Sequence, residues 1–393
     1  MKKSLRFPLL LLYIFFNINV FAQQDKTMYV FGHSLIVHAT SSDETTVPHW
    51  VYLLAEEAGS SVSVSGQYGF LPQHDNLPPI AQWGFDIVTP AWDSDTQNFS
   101  EANFDTILLT AGNFVQGQPS NMLYYGDPDT SPLSATLTIL DWIENEAPNA
   151  ITYIYENWPD MAPFIAGESF PPSVSEFQNY NTYTEGDFHD WWIEYHDFVQ
   201  AERPTEDVRM IPVGPILSKL LSQSPLNQIP ILDLYEDNAP HGRPTLYFLA
   251  SLITYMAIYE EKAPVSFNIP NTVNALVENN FQNTIDFIWG ELLRFNDTSG
   301  NSRVFVNSLL SVSNNESNQV VNVRPNPTKG KIVIDAGINA ISYELYDLNG
   351  RQVKTGNHLA NNDLDITNIS KGLYLLKIKD GKGKLYNKKI VKE

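Results

Sequence analysis

Short apolar runs alternate with helix-spaced apolar positions along most of the chain. The run Thr27 to Gly32 reads as a strand and gives way at once to small and polar residues. Behind it, Pro48 to Ala58 carries Trp50, Val51, Leu53, Leu54 and Ala58 at near-helical spacing, with Pro48 suited to a first turn. The alternation continues with strands at Ser61 to Ser65, Phe104 to Thr110, Ile151 to Tyr155 and Val208 to Val213. Between and after them come helices at Leu133 to Glu146, Asp187 to Gln200, Ile216 to Leu221 and Thr245 to Tyr259. Five strands separated by helices predict an α/β domain, a parallel sheet covered on both faces. Ligands of such sheets sit beyond the carboxyl ends of the strands. The long insertions, Gln67 to Asn103 and Asn157 to Glu185, follow strands, where binding loops belong.

Asn271 to Phe295 reads as a closing helix, and the Asn- and Ser-rich stretch 296–320 as a linker. From residue 321 the pattern becomes short strands with turn residues: Lys331 to Asp335, Ala340 to Tyr346, Gln352 to Gly356, Leu373 to Lys379 and Lys384 to Val391. A small antiparallel β-sandwich is expected over 321–393. Asn349-Gly350 is a hairpin turn pair, and Pro325-Asn326-Pro327 an extended, stiff lead-in.

The N-terminus changes the picture of destination. Met1 to Arg6 is basic, Phe7 to Phe16 is apolar, and Val20-Phe21-Ala22 presents small side chains where a signal peptidase reads them, so residues 1–22 are expected to be a signal peptide cleaved after Ala22. Asn17 and Asn19 interrupt the apolar run, which is too short for the roughly 20 residues of a membrane span. The expected mature domains are therefore 23–295 and 321–393, joined by 296–320, with no membrane span.

Composition narrows the partners. The 393 residues carry 45 acidic against 24 basic side chains, a formal charge of −21 that repels nucleic acid and anionic membrane surfaces. Cysteine is absent, which removes disulfides, thiolate nucleophiles and sulfur-ligated zinc. His189 and His196 share a helix face with several carboxylates, which reads as a solvated acidic face rather than a metal site. No cofactor or metal is expected.

The C-terminal motifs are specific. Val323 to Gly330, Tyr346 to Arg351, Ile366 to Tyr374 and the basic tail Lys388 to Lys392 resemble the type IX (Por) secretion sorting domain of Bacteroidetes. The resemblance implies export to the cell surface or outside, with the type IX machinery as partner. A structural or carbohydrate-binding sandwich is the other reading.

Candidate chemistry lies at the sheet's carboxyl edge. Ser34, in Gly32-His33-Ser34-Leu35, directly follows the first strand, where a hydroxyl can act as a nucleophile if a base and oxyanion donors are near. His241 sits in a polar loop before the last long apolar helix, on the same edge, and Asp237 four residues earlier can hold its tautomer. Asp233 and Glu236 are rival acids. Asn113 ends the third strand, and Gly69, less favourably Gly66, follows the second; both can offer donors to an oxyanion. His33 reads as a loop donor. His38 and His74, and Glu156 and Trp158 at the fourth strand's end, are candidates for substrate contact.

Together these blocks resemble the SGNH or GDSL hydrolase superfamily over residues 26–262. The resemblance implies a flavodoxin-like three-layer α/β/α fold and a serine esterase, with Ser34 as nucleophile, His241 as base, Asp237 as the orienting acid, and Gly69 and Asn113 at the oxyanion. The departures are His33 where the family has aspartate, Phe114 after the asparagine, and Asn238 at the usual acid position. The expected substrate is an ester-substituted, chiefly acetylated, carbohydrate or related extracellular ester. The alternative is a non-catalytic surface or carbohydrate-binding protein on a degenerate scaffold of the same fold.

Overall fold

The computed structural model describes residues 23–111, 118–123, 129–306, 322–335, 340–347, 351–357, 363–380 and 385–393. The chain divides into two compact units after Val306.

Five strands form the first unit's sheet: β1 (Asp25–Gly32), β2 (Ser61–Tyr68), β3 (Thr106–Leu109), β4 (Ile151–Tyr155) and β5 (Val208–Ile211). They pair in parallel in the order β2-β1-β3-β4-β5, the flavodoxin-like arrangement, in which the chain reverses direction of travel between β1 and β3. The interior strand β1, paired on both sides, shows why its sequence lacks a polar face. Met28 and Val30 enter one core while Tyr29 and Phe31 enter the other, all essentially without solvent contact.

Helices cover both faces. On the Met28/Val30 side pack α1 (Val47–Glu57), α5 (Val213–Leu221), α6 (Pro244–Tyr259) and α8 (Phe281–Arg294), the last preceded by a short α7 (Ala275–Asn279). On the Tyr29/Phe31 side pack α2 (Pro132–Glu146) and α4 (Asp187–Glu202). Helix α1 starts where Thr46 accepts the His49 N–H and Pro48 occupies the first turn. Helix α6 is apolar around its whole circumference and buried from Thr245 to Tyr259, because it is wedged between the sheet and its neighbours α1, α5 and α8. No helix among the described residues is long and apolar enough to cross a membrane.

Two features differ from expectation. The insertion Asn157 to Glu185 contains a helix, α3 (Val174–Glu185), begun by a reciprocal pair in which Ser173 accepts the Glu176 N–H and Glu176 accepts the Ser173 N–H. The stretch read as linker from Asn296 belongs to the first unit as far as Val306. Its Arg303 carbonyl accepts the N–H of Met210 on edge strand β5 (2.8 Å), and Arg303, Val304 and Phe305 are buried. An exposed sheet edge is thereby covered.

The second unit has two antiparallel sheets. One is ordered β10 (Asp363–Asp365), β7 (Lys331–Asp335), β6 (Asn322–Arg324) and the other β12 (Leu385–Lys392), β11 (Gly372–Asp380), β8 (Ala340–Asp347), β9 (Gln352–Asn357). Ile332, Ile334, Leu345, Leu364, Ile366, Leu376, Ile378 and Ile390 join both sheets in one core, the expected sandwich. Asn326 ties the lead-in to β12, donating to the Lys389 carbonyl (2.7 Å) and accepting the Val391 N–H (2.8 Å). The turn pair Asn349-Gly350 lies outside the described residues.

Candidate active site

Strand β1 ends at Gly32, and the His33 carbonyl then accepts the N–H groups of both Ile36 (2.9 Å) and Val37 (3.0 Å). This turn carries Ser34 to the carboxyl edge of the sheet. The Tyr247 hydroxyl on α6 donates to the Ser34 carbonyl and fixes the turn from below. His33 is buried beneath it, and its Nδ1 accepts the Leu35 N–H at 3.3 Å, so that nitrogen is an acceptor where a donor was expected. Burial and the neighbouring His74 push its pKa down to about 3, against a hydrogen bond with Asn157. His33 is therefore a neutral prop at physiological pH.

The loop holding His241 is closed by a bridge between Tyr235 and Gly242 and by Glu236 N–H donating to the His241 carbonyl (2.8 Å). Asp237 folds back into this loop. Its Oδ1 accepts the backbone N–H groups of Ala239 and His241, both at 3.0 Å, while Oδ2 lies 2.7 Å from His241 Nδ1. Partial burial opposes ionisation of Asp237, but the hydrogen bonds from His241 and Ala239 outweigh it and hold the carboxyl below its ordinary range. With Nδ1–H donating to Asp237, His241 Nε2 is the acceptor, and Ser34 Oγ lies 3.0 Å from it. The structure thus brings Ser34, His241 and Asp237 into one hydrogen-bonded line. Asp233 instead accepts from Asn274 (2.9 Å), and Asn238 contributes its backbone carbonyl to Met161 and Ala162, each at 3.1 Å.

The other expected site residues fall elsewhere. Gly69 donates its N–H to the Gly32 carbonyl (2.9 Å), extending the β1–β2 ladder, so that donor is engaged. The Ser34 N–H meets no acceptor among the described residues. Asn113 lies outside the described residues. His74, Glu156 and Trp158 were expected to touch substrate, and all three are buried. His74 packs edge-on to Phe31 and accepts from Gln67 (3.1 Å). Trp158 donates its indole N–H to the Pro240 carbonyl (2.9 Å) and so braces the His241 loop. Both carboxylate oxygens of Glu156 face His189 Nδ1, at 2.8 and 3.0 Å. Burial pushes Glu156 up to about 7, against the pull of His189. His196 is buried too, 2.8 Å from Arg303, so the two histidines of α4 do not lie on a solvated face. Among the described residues no three potential ligands gather to hold a metal.

A groove of about 540 Å³ opens beside Ser34. Its walls include His38, Asp43, Tyr68, Gln82, Trp83 and Phe85, with Tyr68 47% exposed, and among the described residues no lysine or arginine lines it. Trp83 is placed by Gly66, whose carbonyl accepts both the Gln82 (2.9 Å) and Trp83 (3.1 Å) N–H groups. A Cβ on Gly66 would stand 2.6 Å from the Val30 carbonyl oxygen and 2.7 Å from the Trp83 ring. Gly66, read from the sequence as a lesser oxyanion candidate, here seats an aromatic wall. The signal that would have found this wall was the cluster Gln82, Trp83, Phe85 inside the first insertion.

Residues 322–393 match the family described as "Secretion system C-terminal sorting domain". A module of this kind directs export through the type IX secretion system, to the cell surface or outside. No curated protein matches the sequence. Among solved structures, the chain is similar to a DUF4886 family protein from Bacteroides uniformis, with 12% identity, a TM-score of 0.43, and coverage of 69% of this chain and 95% of that one. It is also similar to a family 3 carbohydrate esterase from Clostridium thermocellum, with 13% identity, a TM-score of 0.33, and coverage of 59% and 94%.

Proposed function

We propose that the first unit is a serine esterase acting outside the cell on ester-substituted carbohydrate. The observation that carries this reading is the hydrogen-bonded line Asp237–His241–Ser34 beside an open groove. Ser34 Oγ attacks the ester carbonyl carbon while its proton passes to His241 Nε2, and Asp237 holds the ring and balances the imidazolium charge. The negative oxygen of the tetrahedral intermediate is met by the Ser34 N–H, with Asn113 as the side-chain donor the family resemblance assigns. His241 then gives its proton to the departing alcohol oxygen. Water, deprotonated by the same nitrogen, releases the acid from Ser34.

The groove supports the substrate class. Exposed Tyr68 and half-buried Trp83 and Phe85 offer faces for apolar sides of sugar rings, and Asp43 and Gln82 offer partners for hydroxyls. The absence of lysine and arginine from its described walls, in a strongly acidic chain, disfavours anionic substrates.

A binding protein without chemistry is the second reading, favoured by the engaged Gly69 N–H, which leaves one expected oxyanion donor unusable. Hydrolysis of a short acyl ester by the wild-type protein and by Ser34→Ala separates the two. The esterase reading expects turnover that the substitution abolishes; equal rates in both proteins would remove Ser34 from the mechanism.

A further inference from the structure

His38 is held as firmly as the residues it adjoins. Its N–H donates to the Thr45 carbonyl (3.1 Å), its own carbonyl accepts the Thr45 hydroxyl (2.8 Å), and Val37 bridges Thr46. The ring stacks on His241, with centroids 4.3 Å apart and planes 10° from parallel. Its Nε2 lies 3.4 Å from a carboxylate oxygen of Glu236. Neighbours in sequence, Glu236 and Asp237 thus each serve one ring of a stacked imidazole pair.

We propose that His38 is a positioning residue for His241: its ring, with Glu236 at its edge, fixes the plane of His241 and lies against the imidazolium that forms when Ser34 gives up its proton. The inference rests on the reading of Ser34 and His241 as nucleophile and base. No proton passes to His38; the proton moves from Ser34 Oγ to His241 Nε2 and on to the leaving oxygen. An imidazole face beside a cation is attractive in the way an aromatic face is, whereas a second cation at the same spacing repels strongly.

The charged surroundings agree. The groups that act on His38 are His241 across the stack, Glu236 at its edge and Asp237 behind His241, with Asp43 on the same groove wall. Burial and then His241 lower its pKa, and Glu236 and Asp237 oppose them only in part. A charged His38 is accordingly disfavoured beside His241.

The test needs no knowledge of the natural substrate. The rate at which a fluorophosphonate labels Ser34 in the exported chain is followed by intact mass between pH 5 and 9. Wild type is expected to label. His38→Ala should label roughly tenfold more slowly across this range, because the imidazolium has lost its partner. His38→Phe keeps a face to stack on and should recover to within about threefold of wild type. Wild type that does not label at all overturns the nucleophile reading, and this inference with it. Wild type that labels while His38→Ala matches it in rate and pH profile overturns the role of His38 alone. Labelling of His38→Phe as slow as that of His38→Ala overturns that role as well.

Discussion

Among the described residues of the first unit, two histidines meet a carboxylate through Nδ1, and the two pairs' environments push them apart. In both, an imidazole Nδ1 lies within hydrogen-bond distance of a carboxylate: 2.7 Å in Asp237–His241 and 2.8 Å in Glu156–His189. Asp237 is 42% exposed at its side chain and gathers backbone N–H donors, so it ionises readily; Glu156 is wholly buried at the end of β4, and burial pushes it up to about 7. The first pair leaves His241 Nε2 facing a serine hydroxyl. The second turns its ring towards a cleft walled by Pro212, Pro215, Ile216, Lys219, Glu291, Arg294 and Phe295, none of which carries a hydroxyl for the imidazole to activate. The pairing itself is therefore not the signature of catalysis. What distinguishes the first is a low-pKa acid, a turn that delivers an oxygen, and an open groove.

The sharpest way to break this comparison is to neutralise each acid in turn. Asp237→Asn should lower kcat/KM by about 10³- to 10⁴-fold, since the ring loses its tautomer and its counter-charge. Glu156→Gln should leave kcat/KM within about threefold. Comparable losses in both variants, measured on the same short ester, would erase the distinction.

The second test is stability against pH. Glu156 takes up a proton more readily folded, at about 7, than at its ordinary 4.5, and His189 is likewise raised, its own burial outweighed by Glu156. The folded state then holds more protons than the unfolded state between these values, so the pair's contribution is complete below about pH 4.5 and is lost as pH rises through about 7. Asp237, with a lowered pKa, contributes in the opposite sense, losing its share as pH falls below the ordinary carboxylate range. Denaturant unfolding at pH 5 and pH 8 should show wild type losing about 2 kcal/mol more than Glu156→Gln over that interval. An identical pH dependence in the two proteins would contradict the assigned burial effect.

A smaller effect tests the groove. Gly66→Ala drives a methyl into the Val30 carbonyl and the Trp83 ring, so Trp83 must move. On an acylated sugar KM should rise about tenfold with kcat nearly unchanged, the cost of roughly one stacked ring. On a short alkyl ester, which does not reach the wall, both constants should hold. A loss shared by both substrates would point to damage at Ser34 instead.

The contrast between the pairs also explains what the sequence revealed. Ser34 and His241 were legible because each follows or precedes an element with strong periodicity, which places both on one sheet edge. Asp237 was legible less directly. Its four-residue spacing to His241 works because the side chain folds back onto the Ala239 and His241 N–H groups, a local closure no pattern announces. Glu156 and Trp158 have residue types suited to a pocket, but ending a strand does not tell whether a side chain points into solvent or into the layer beneath, and both went inward. Tyr68, Trp83 and Phe85 escaped notice because the path of the insertion after β2 is set by single tethers, such as the Gly66 carbonyl, rather than by a repeating pattern. Helix α3 buries only Tyr180, Asn181 and Thr184, too little apolar contrast to stand out, although Ser173 and Glu176 spelled its start. The 296–306 stretch looked like linker because its asparagines and serines masked Arg303, whose carbonyl pairs with β5, and the buried Val304 and Phe305.

The most direct measurement is the mass of the covalent species on Ser34. Incubated with an activated short-chain acyl ester and quenched in acid, the wild-type chain should carry one acyl group, mapped by peptide mass to Ser34 and absent from Ser34→Ala. The same adduct on Ser34→Ala, or no adduct on wild type despite measured turnover of the ester, would contradict the assignment of Ser34, with His241 and Asp237 behind it, as the acting nucleophile.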